Sequence, residues 1–367
     1  MFIHQLKLTN FRNYPHLEAK LPPGLVLFHG DNAQGKTNLL EAVSFLSLTR
    51  SFRAEAEKEL VSWQAEPAFA RVTGLFTTKH GTLNIEIAIQ PGSAEARKRL
   101  WLNGVARRAS EILGQVPTVA FSVQDINLVN GPPGQRRRYL DILACQIDPP
   151  YMRHLQRYQR VIEQRNHLLR LIRSGQAQTQ ELGVWNQELV TAGSYLISLR
   201  RKLTDVLREK GDGLHRRLTR EGEPLEINYL PSVEEEKFSA ALAQGQGREI
   251  ESGLSLWGPH RDDLRFLMAG RDMASYASRG QQRTIALALK LAEAEVLRDK
   301  KEETPILLLD DVFSELDPPR QEQLMASVSS DYQQVLITTT DLAGLPQPAL
   351  AQATRFHVRQ GQLFASP

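Results

Sequence analysis

The sequence predicts an α/β fold: a mixed sheet with an antiparallel β subdomain, interrupted by an inserted α-helical arm. Three observations carry this expectation. Residues 30–37, Gly-Asp-Asn-Ala-Gln-Gly-Lys-Thr, satisfy G-x-x-x-x-G-K-[ST] between an apolar run of strand length at 25–28 and the helically spaced Leu39, Leu40, Ala42, Val43, Phe45 and Leu46. Residues 70–105 alternate with period two, through Val72, Gly74 and Phe76, then Leu83, Ile85, Ile87 and Ile89. Residues 135–173 and 181–220 carry apolar residues at helical spacing, among them Leu140, Leu143, Leu155, Tyr158, Leu189, Leu196 and Leu203.

The first of these elements has a chemical meaning. Gly30 and Gly35 let backbone N–H groups surround a phosphate, with Asp31, Asn32, Ala33 and Gln34 forming the loop between them. The amide dipoles of the helix that follows favour the anion. Lys36 adds a point charge towards the β- and γ-phosphates, and Thr37 offers a hydroxyl to Mg²⁺. A nucleotide site is therefore expected.

Composition sets the outer bounds. At 367 residues the chain is long enough for two cores, or for one core with a large insertion. Its 41% hydrophobic and 24% charged content is that of an ordinary globular protein, and no window approaches a membrane span of about 20 apolar residues. Residues 1–9 lack the basic and apolar regions of a secretory leader. The single Cys145 excludes an internal disulfide framework and a thiolate zinc cluster, which fits a reducing cytoplasm. The net charge of +3 is uneven: residues 134–222 hold 17 Lys/Arg against 9 Asp/Glu, so the arm suits a polyanion. The clusters Arg136, Arg137, Arg138 and Arg200, Arg201, Lys202 are its candidate DNA contacts.

In chain order, strands are expected at 3–8, 17–21 and 25–28, then the loop helix to residue 48, followed by Arg50 and Arg53. The alternating sheet ends in Asn103-Gly104, a hairpin signal. A short apolar run at 116–121 leads to Gln124. Two long helices joined near Ser174-Gly175 form the arm. Beyond it come a strand at 225–229, a short helix at 233–243, a flexible break at Gly245 to Gly247, a strand at 264–268 and a helix opened by Ser278. A strand at 306–309, a helix after Pro318-Pro319 and strands at 335–340, 355–358 and 362–364 close the chain. The domain boundaries are accordingly 1–133, 134–222 and 223–367.

Chemistry concentrates at the wholly apolar strand that runs into Asp310 and Asp311. Beside a phosphate loop, the first acid holds Mg²⁺ and the second reaches the γ-phosphate, where attacking water is oriented. Ser278-Arg279-Gly280-Gln281-Gln282 opens a helix whose N-terminal dipole suits a γ-phosphate.

The order of phosphate loop, Gln124, Ser-Arg-Gly-Gln-Gln, Leu-Leu-Leu-Asp-Asp and Ser314-Glu315-Leu316-Asp317 resembles an ABC-type P-loop ATPase head. The resemblance is to the chromosome-maintenance branch that includes SMC proteins and the RecF family. Residues 8–14, 30–38, 121–128, 136–141, 258–263 and 308–317 match in order and spacing, over nearly the whole chain. The resemblance implies ATP and Mg²⁺ as cofactors. It assigns Lys36, Thr37 and Asn38 to the nucleotide, Thr37, Gln124 and Asp310 to the metal, Gln124 also to sensing the γ-phosphate, and Asp311 to water. It further implies that Ser278, Gly280 and Gln281 act on the ATP of a second subunit in an ATP-dependent homodimer. The implied setting is a bacterial, cytoplasmic repair ATPase acting on duplex DNA and single-strand/double-strand junctions with RecO and RecR, to load recombinase. Three departures stand out: Gln124 lacks Pro-Glu neighbours, Asp311 stands where most ABC heads have Glu, and Thr340 stands where a switch His is usual. The last two imply slow hydrolysis. An ABC transporter ATPase shares the motifs, and a non-catalytic DNA clamp using ATP as glue is compatible with the shorter acid.

Overall fold

The computed structural model describes residues 1–92, 96–219, 222–329, 332–342 and 344–366. The chain forms two compact units. The first comprises Met1–Asp125, Leu214–Gly222 and Ala286–Pro367, and the second Ile126–Gly213 and Glu223–Ile285. These limits differ from the three sequence segments: residues 223–285, expected in the head, cluster with the helical arm. The expected arm end at residues 220–221 lies outside the described residues.

The first unit holds two six-stranded sheets. One is antiparallel, in the order Tyr14–Lys20, Phe2–Phe11, Ala70–Thr78, Gly81–Gln90, Arg97–Leu102, Val105–Ala106. The other is mixed, in the order Gln362–Ser366, Thr354–Arg359, Gly24–His29, Gln334–Thr339, Ile306–Asp310, Thr118–Ser122. All its neighbours run parallel except the final hairpin. The Asn103-Gly104 signal forms its hairpin with both residues at positive φ, 52° and 78°.

Helix Lys36–Leu48 packs against both sheets, and their inner faces share one core with Leu39, Leu40, Val43, Phe45 and Leu46. The helix is thereby covered almost all round, which explains why Glu41, Ser44 and Ser47 are buried with its apolar residues. The buried Glu41 carboxylate needs a partner. Arg12 supplies a two-pronged one, with N–H···O distances of 2.7 and 2.9 Å.

The second unit contains the helices Pro133–Ile147, Pro149–Arg173, most of Leu182–Thr219 and Phe238–Ser252, and a small antiparallel sheet of Glu226–Leu230, Asp263–Met268 and Arg271–Asp272. Two expectations are corrected here. The first arm helix is broken at Asp148, whose extended backbone (φ −122°, ψ 100°) precedes Pro149-Pro150, because a residue before proline is pushed out of helical space. The flexible break at Gly245 to Gly247 does not exist: Phe238–Ser252 runs straight through it. Gly245 is there for packing, since a Cβ would lie 1.9 Å from the Trp257 ring. Among the described residues no helix is long and apolar enough to cross a membrane.

Candidate functional site

Four of the five parallel strands of the mixed sheet lead at their carboxyl ends, where ligands of open α/β sheets bind, into the expected site residues. Gly24–His29 runs into the phosphate loop, Ile306–Asp310 into Asp311, Gln334–Thr339 into Thr340, and Thr118–Ser122 into Gln124. Parallel register sets Ser122 and Thr338 beside Asp310, and Phe28 beside Thr338.

The loop has no room for side chains at its glycines. Gly30 has φ 143°, and a Cβ there would meet the Val358 carbonyl at 2.4 Å; Gly35 has φ 113°, and a Cβ would meet Asn13 Nδ2 at 2.6 Å and Tyr14 Oη at 2.9 Å. Gly35 caps the helix through its backbone alone, with no side chain accepting from the first N–H groups. Two hairpin turns clamp the loop from outside. Asn13 Nδ2 donates to the Gln34 carbonyl at 2.9 Å, Tyr14 Oη to that of Gly35 at 3.0 Å, and the Gly361 N–H to that of Gln34 at 3.2 Å. Asn38 donates to Asn13 Oδ1 at 2.8 Å and accepts from Arg53 at 3.2 Å.

Lys36 is buried and folds back over its loop, donating to the carbonyls of Gly30 (2.6 Å) and Asp31 (2.8 Å). Burial lowers its pKa, against the opposing pull of Asp311, Asp310 and Asp31. Thr37 and Thr338 both donate their hydroxyls to Asp310 Oδ1, each at 2.7 Å, so one carboxylate oxygen is fixed from two sides. Asp311 follows with φ 54°, a left-handed conformation that Asp tolerates better than most residues. Its N–H is held by Thr338 Oγ1 at 3.0 Å. Its Oδ1 is buried with no hydrogen-bond partner, and burial together with the neighbouring Asp310 raises its pKa, opposed by Lys36.

Lys36, Thr37, Asp310 and Asp311 are thus brought together as the sequence expects. Gln124 leaves a strand next to that of Asp310, but its side chain is exposed and makes no hydrogen bond to Thr37 or Asp310. Ser278, Gly280 and Gln281 belong to the second unit. There Ser278 and Gln281 form a reciprocal cap, the Ser278 N–H donating to Gln281 Oε1 at 2.8 Å and the Gln281 N–H to Ser278 Oγ at 3.3 Å.

Two of the expected DNA contacts are corrected. Arg136 is buried and donates to both oxygens of Asp263, at 2.6 and 3.0 Å. Arg200 is buried against Asp141, Asp262, Tyr151 and the Pro259 carbonyl. Neither guanidinium is free for phosphate, because charges taken out of water need internal partners. Of the others, Arg137 donates to the Asp262 carbonyl, Arg201 pairs with Glu234, Lys202 is exposed, and Arg138 is engaged within the protein.

Sequence reasoning assigned no role to Thr338, Asn13, Tyr14 or the pair His29 and His357. The two histidine rings lie 5.1 Å apart beside Gly30, and burial, His357, Arg355 and Lys36 together lower the His29 pKa. Only the position of His29, immediately before the loop, could have drawn attention to it.

Known proteins resemble this chain over nearly its whole length. Residues 2–354 match the family model described as the RecF/RecN/SMC N terminal domain. The DNA replication and repair protein RecF of Herpetosiphon aurantiacus is 42% identical over 383 residues, covering 99% of this chain and 100% of that protein. That of Chloroflexus aurantiacus is 40% identical over 391 residues, with 100% of both chains covered. A solved structure of the recombination mediator protein RecF-ATP in the RecFOR pathway superposes with a TM-score of 0.90 at 31% identity, over 100% of this chain and 98% of that one. An Smc head bound to the C-winged helix domain of ScpA has a TM-score of 0.57 at 17% identity over 100% and 97%, a likeness of fold alone. The fold is that of an ABC-type ATPase head with an inserted helical arm, and the chain belongs to the RecF/RecN/SMC N-terminal domain family.

Proposed function

We propose that this chain is an ATP-dependent DNA-binding protein of recombinational repair, dimerising on duplex or gapped DNA with ATP and released by slow, Mg²⁺-dependent hydrolysis. The observation that carries the reading is the doubly held Asp310 carboxylate against Thr37, with Lys36 and Asp311 in the same site. Relatives named as DNA replication and repair proteins, similar over the whole chain, support the repair role over a transporter subunit. The RecFOR pathway of the similar RecF-ATP structure supports partners like RecO and RecR in assisting recombinase loading.

Thr37 and Asp310 offer a hydroxyl and a carboxylate in contact, the hard oxygen donors that suit Mg²⁺. When bound, Mg²⁺ neutralises charge on the β- and γ-phosphates. Lys36 places its ammonium over the loop and exchanges carbonyl partners for phosphate oxygen. Asp311 Oδ1, buried and without a hydrogen-bond partner, orients the attacking water and accepts its proton; the raised pKa makes it a stronger base than an exposed aspartate. The helix opened at Arg279 presents exposed N-terminal residues, and Ser278, Gly280 and Gln281 there grip the γ-phosphate bound by a second copy.

Turnover of the parent and of Asp311→Asn, measured without DNA and with duplex, gapped or single-stranded DNA, tests the reading. The amide should keep ATP bound while slowing hydrolysis by about 10²- to 10⁴-fold, the usual worth of a general base. Unchanged steady-state hydrolysis in that variant refutes the role of Asp311. ATP affinity no better than that of a loop-deleted control refutes the site.

A further inference from the structure

With Arg136 and Arg200 committed to the interior, the two expected clusters lose a member each, and a further basic face of the arm comes into view. The exposed face of helix Pro149–Arg173 is the candidate. At about 100° per residue, Arg153, Arg157, Arg160, Gln164 and His167 fall within a sector of about 80°, and the buried Tyr151, Tyr158, Val161, Arg165 and Leu168 fall on a separate face centred about 110° away. All five are exposed, and the row from Arg153 to His167 is about 21 Å long at 1.5 Å per residue. Arg170 extends it along one flank.

The fold treats these cations differently from those it buries. Arg165, on the inner face of the same helix, is held by Glu249, Asn186 and Ser255. Arg157 pairs with Glu188. Among the described residues, Arg153, Arg160 and Arg170 pair with no carboxylate; Arg160 donates only to the Gln156 carbonyl. The helix holds a single acid, Glu163. Arginines at i, i+3 and i+4 repel one another and weaken a helix, so the row carries a folding cost that only the Arg157–Glu188 pair offsets among the described residues.

We infer that this row is a ridge for the phosphate backbone of duplex DNA; the inference rests on the DNA-binding reading above. Arginine forks match phosphate oxygens, and the exposed Gln156, Gln159 and Gln164 between them add neutral hydrogen-bonding groups. The face holds no exposed Phe, Tyr or Trp and only one exposed ring, that of His167, so it lacks the successive stacking platforms of a single-strand binder. It also holds no exposed apolar residue, so it lacks the apolar centre of a protein interface.

The experiment measures affinity for a fluorescent duplex of arbitrary sequence against salt, using the full chain with ATP. Arg153→Ala/Arg160→Ala/Arg170→Ala should lower the slope of log affinity against log salt by about 0.9 per lost phosphate contact, so by two to three in all. Arg97→Ala/Arg99→Ala, which removes two exposed arginines of the first unit, should leave the slope near the parental one. Lysine at the same three positions should restore it, which separates lost charge from lost structure. Parental affinity and slope in the triple alanine variant overturn the ridge while leaving the DNA reading intact. A parent that binds no duplex overturns the DNA reading and the ridge together. Loss of polyglutamate binding with duplex binding unchanged assigns the face to an acidic protein and overturns the proposal.

Discussion

Lys36 in the first unit and Arg200 in the second are both buried cations, and the protein neutralises them in opposite ways. Arg200 is surrounded by Asp141 and Asp262, with the Pro259 carbonyl and Tyr151 Oη taking further N–H groups. Nothing about it remains to be satisfied from outside. Lys36 has two carbonyl oxygens, with Asp31, Asp310 and Asp311 acting on it through space, and among the described residues no carboxylate forms an ion pair with it. A cation whose counter-charges are all internal is a strut. One that is desolvated and only partly compensated is prepared for an incoming anion.

The widest separation of the two should come from paired truncations. Lys36→Ala should weaken ATP binding by about 2–5 kcal/mol, the cost of losing one side of a desolvated charge contact, while its thermal midpoint stays level or rises as a buried ammonium is removed. Arg200→Ala should do the reverse: unfolding free energy falls by about 3–5 kcal/mol because Asp141 and Asp262 are stranded, and the folded fraction binds ATP as before. Isothermal titration with nucleotide and urea unfolding check both arms. Loss of ATP affinity in folded Arg200→Ala, or a large loss of stability in Lys36→Ala, breaks the distinction.

A smaller effect sharpens the contrast between packing and freedom within the second unit. Gly245→Ala should cost about 1–3 kcal/mol by driving a methyl into Trp257, whereas Gly247→Ala, with nothing within 4 Å of its Cβ position, should stabilise the helix by up to about 1 kcal/mol. Equal shifts in the two unfolding midpoints would mean that Trp257 moves aside.

The smallest effect is a pH slope. His260 lies between Tyr158 Oη at 2.6 Å and the Ser255 carbonyl at 3.0 Å. Burial lowers its pKa, assisted by Arg261 and Arg137 and opposed by the Ser255 contact and Asp262. The unfolded chain therefore takes up a proton near the ordinary value of about 6.5 that the folded chain refuses. Stability is full above that value and declines as pH falls from it towards the depressed native pKa. His260→Gln should flatten this part of the stability profile, and an unaltered slope would assign it to another group.

Much of this was legible because local chemistry is written in short spacings. The phosphate loop, the apolar strand ending in Asp310, the Asn103-Gly104 hairpin and the Ser278 cap each need only a few adjacent residues, and each is present in the structure. Gly245 misled because glycine has two uses, freedom and small size, and the sequence does not distinguish them without Trp257. Arg136 and Arg200 misled because a run of charge says nothing about which residues face inward.

Sequence by itself determined the strand-to-helix phosphate loop, the identity of the acids and the alternation of the antiparallel sheet, since backbone periodicity and loop sterics act over neighbouring residues. Tertiary structure decided which charges work outward. Asp262 and Asp263 fold onto Arg200 and Arg136 from far along the chain, Thr338 arrives beside Asp310 through parallel register, and the basic row of Pro149–Arg173 stays in water. The reason is physical: desolvation makes an unpaired charge costly only where packing excludes water, and that exclusion comes from contacts between segments distant in sequence.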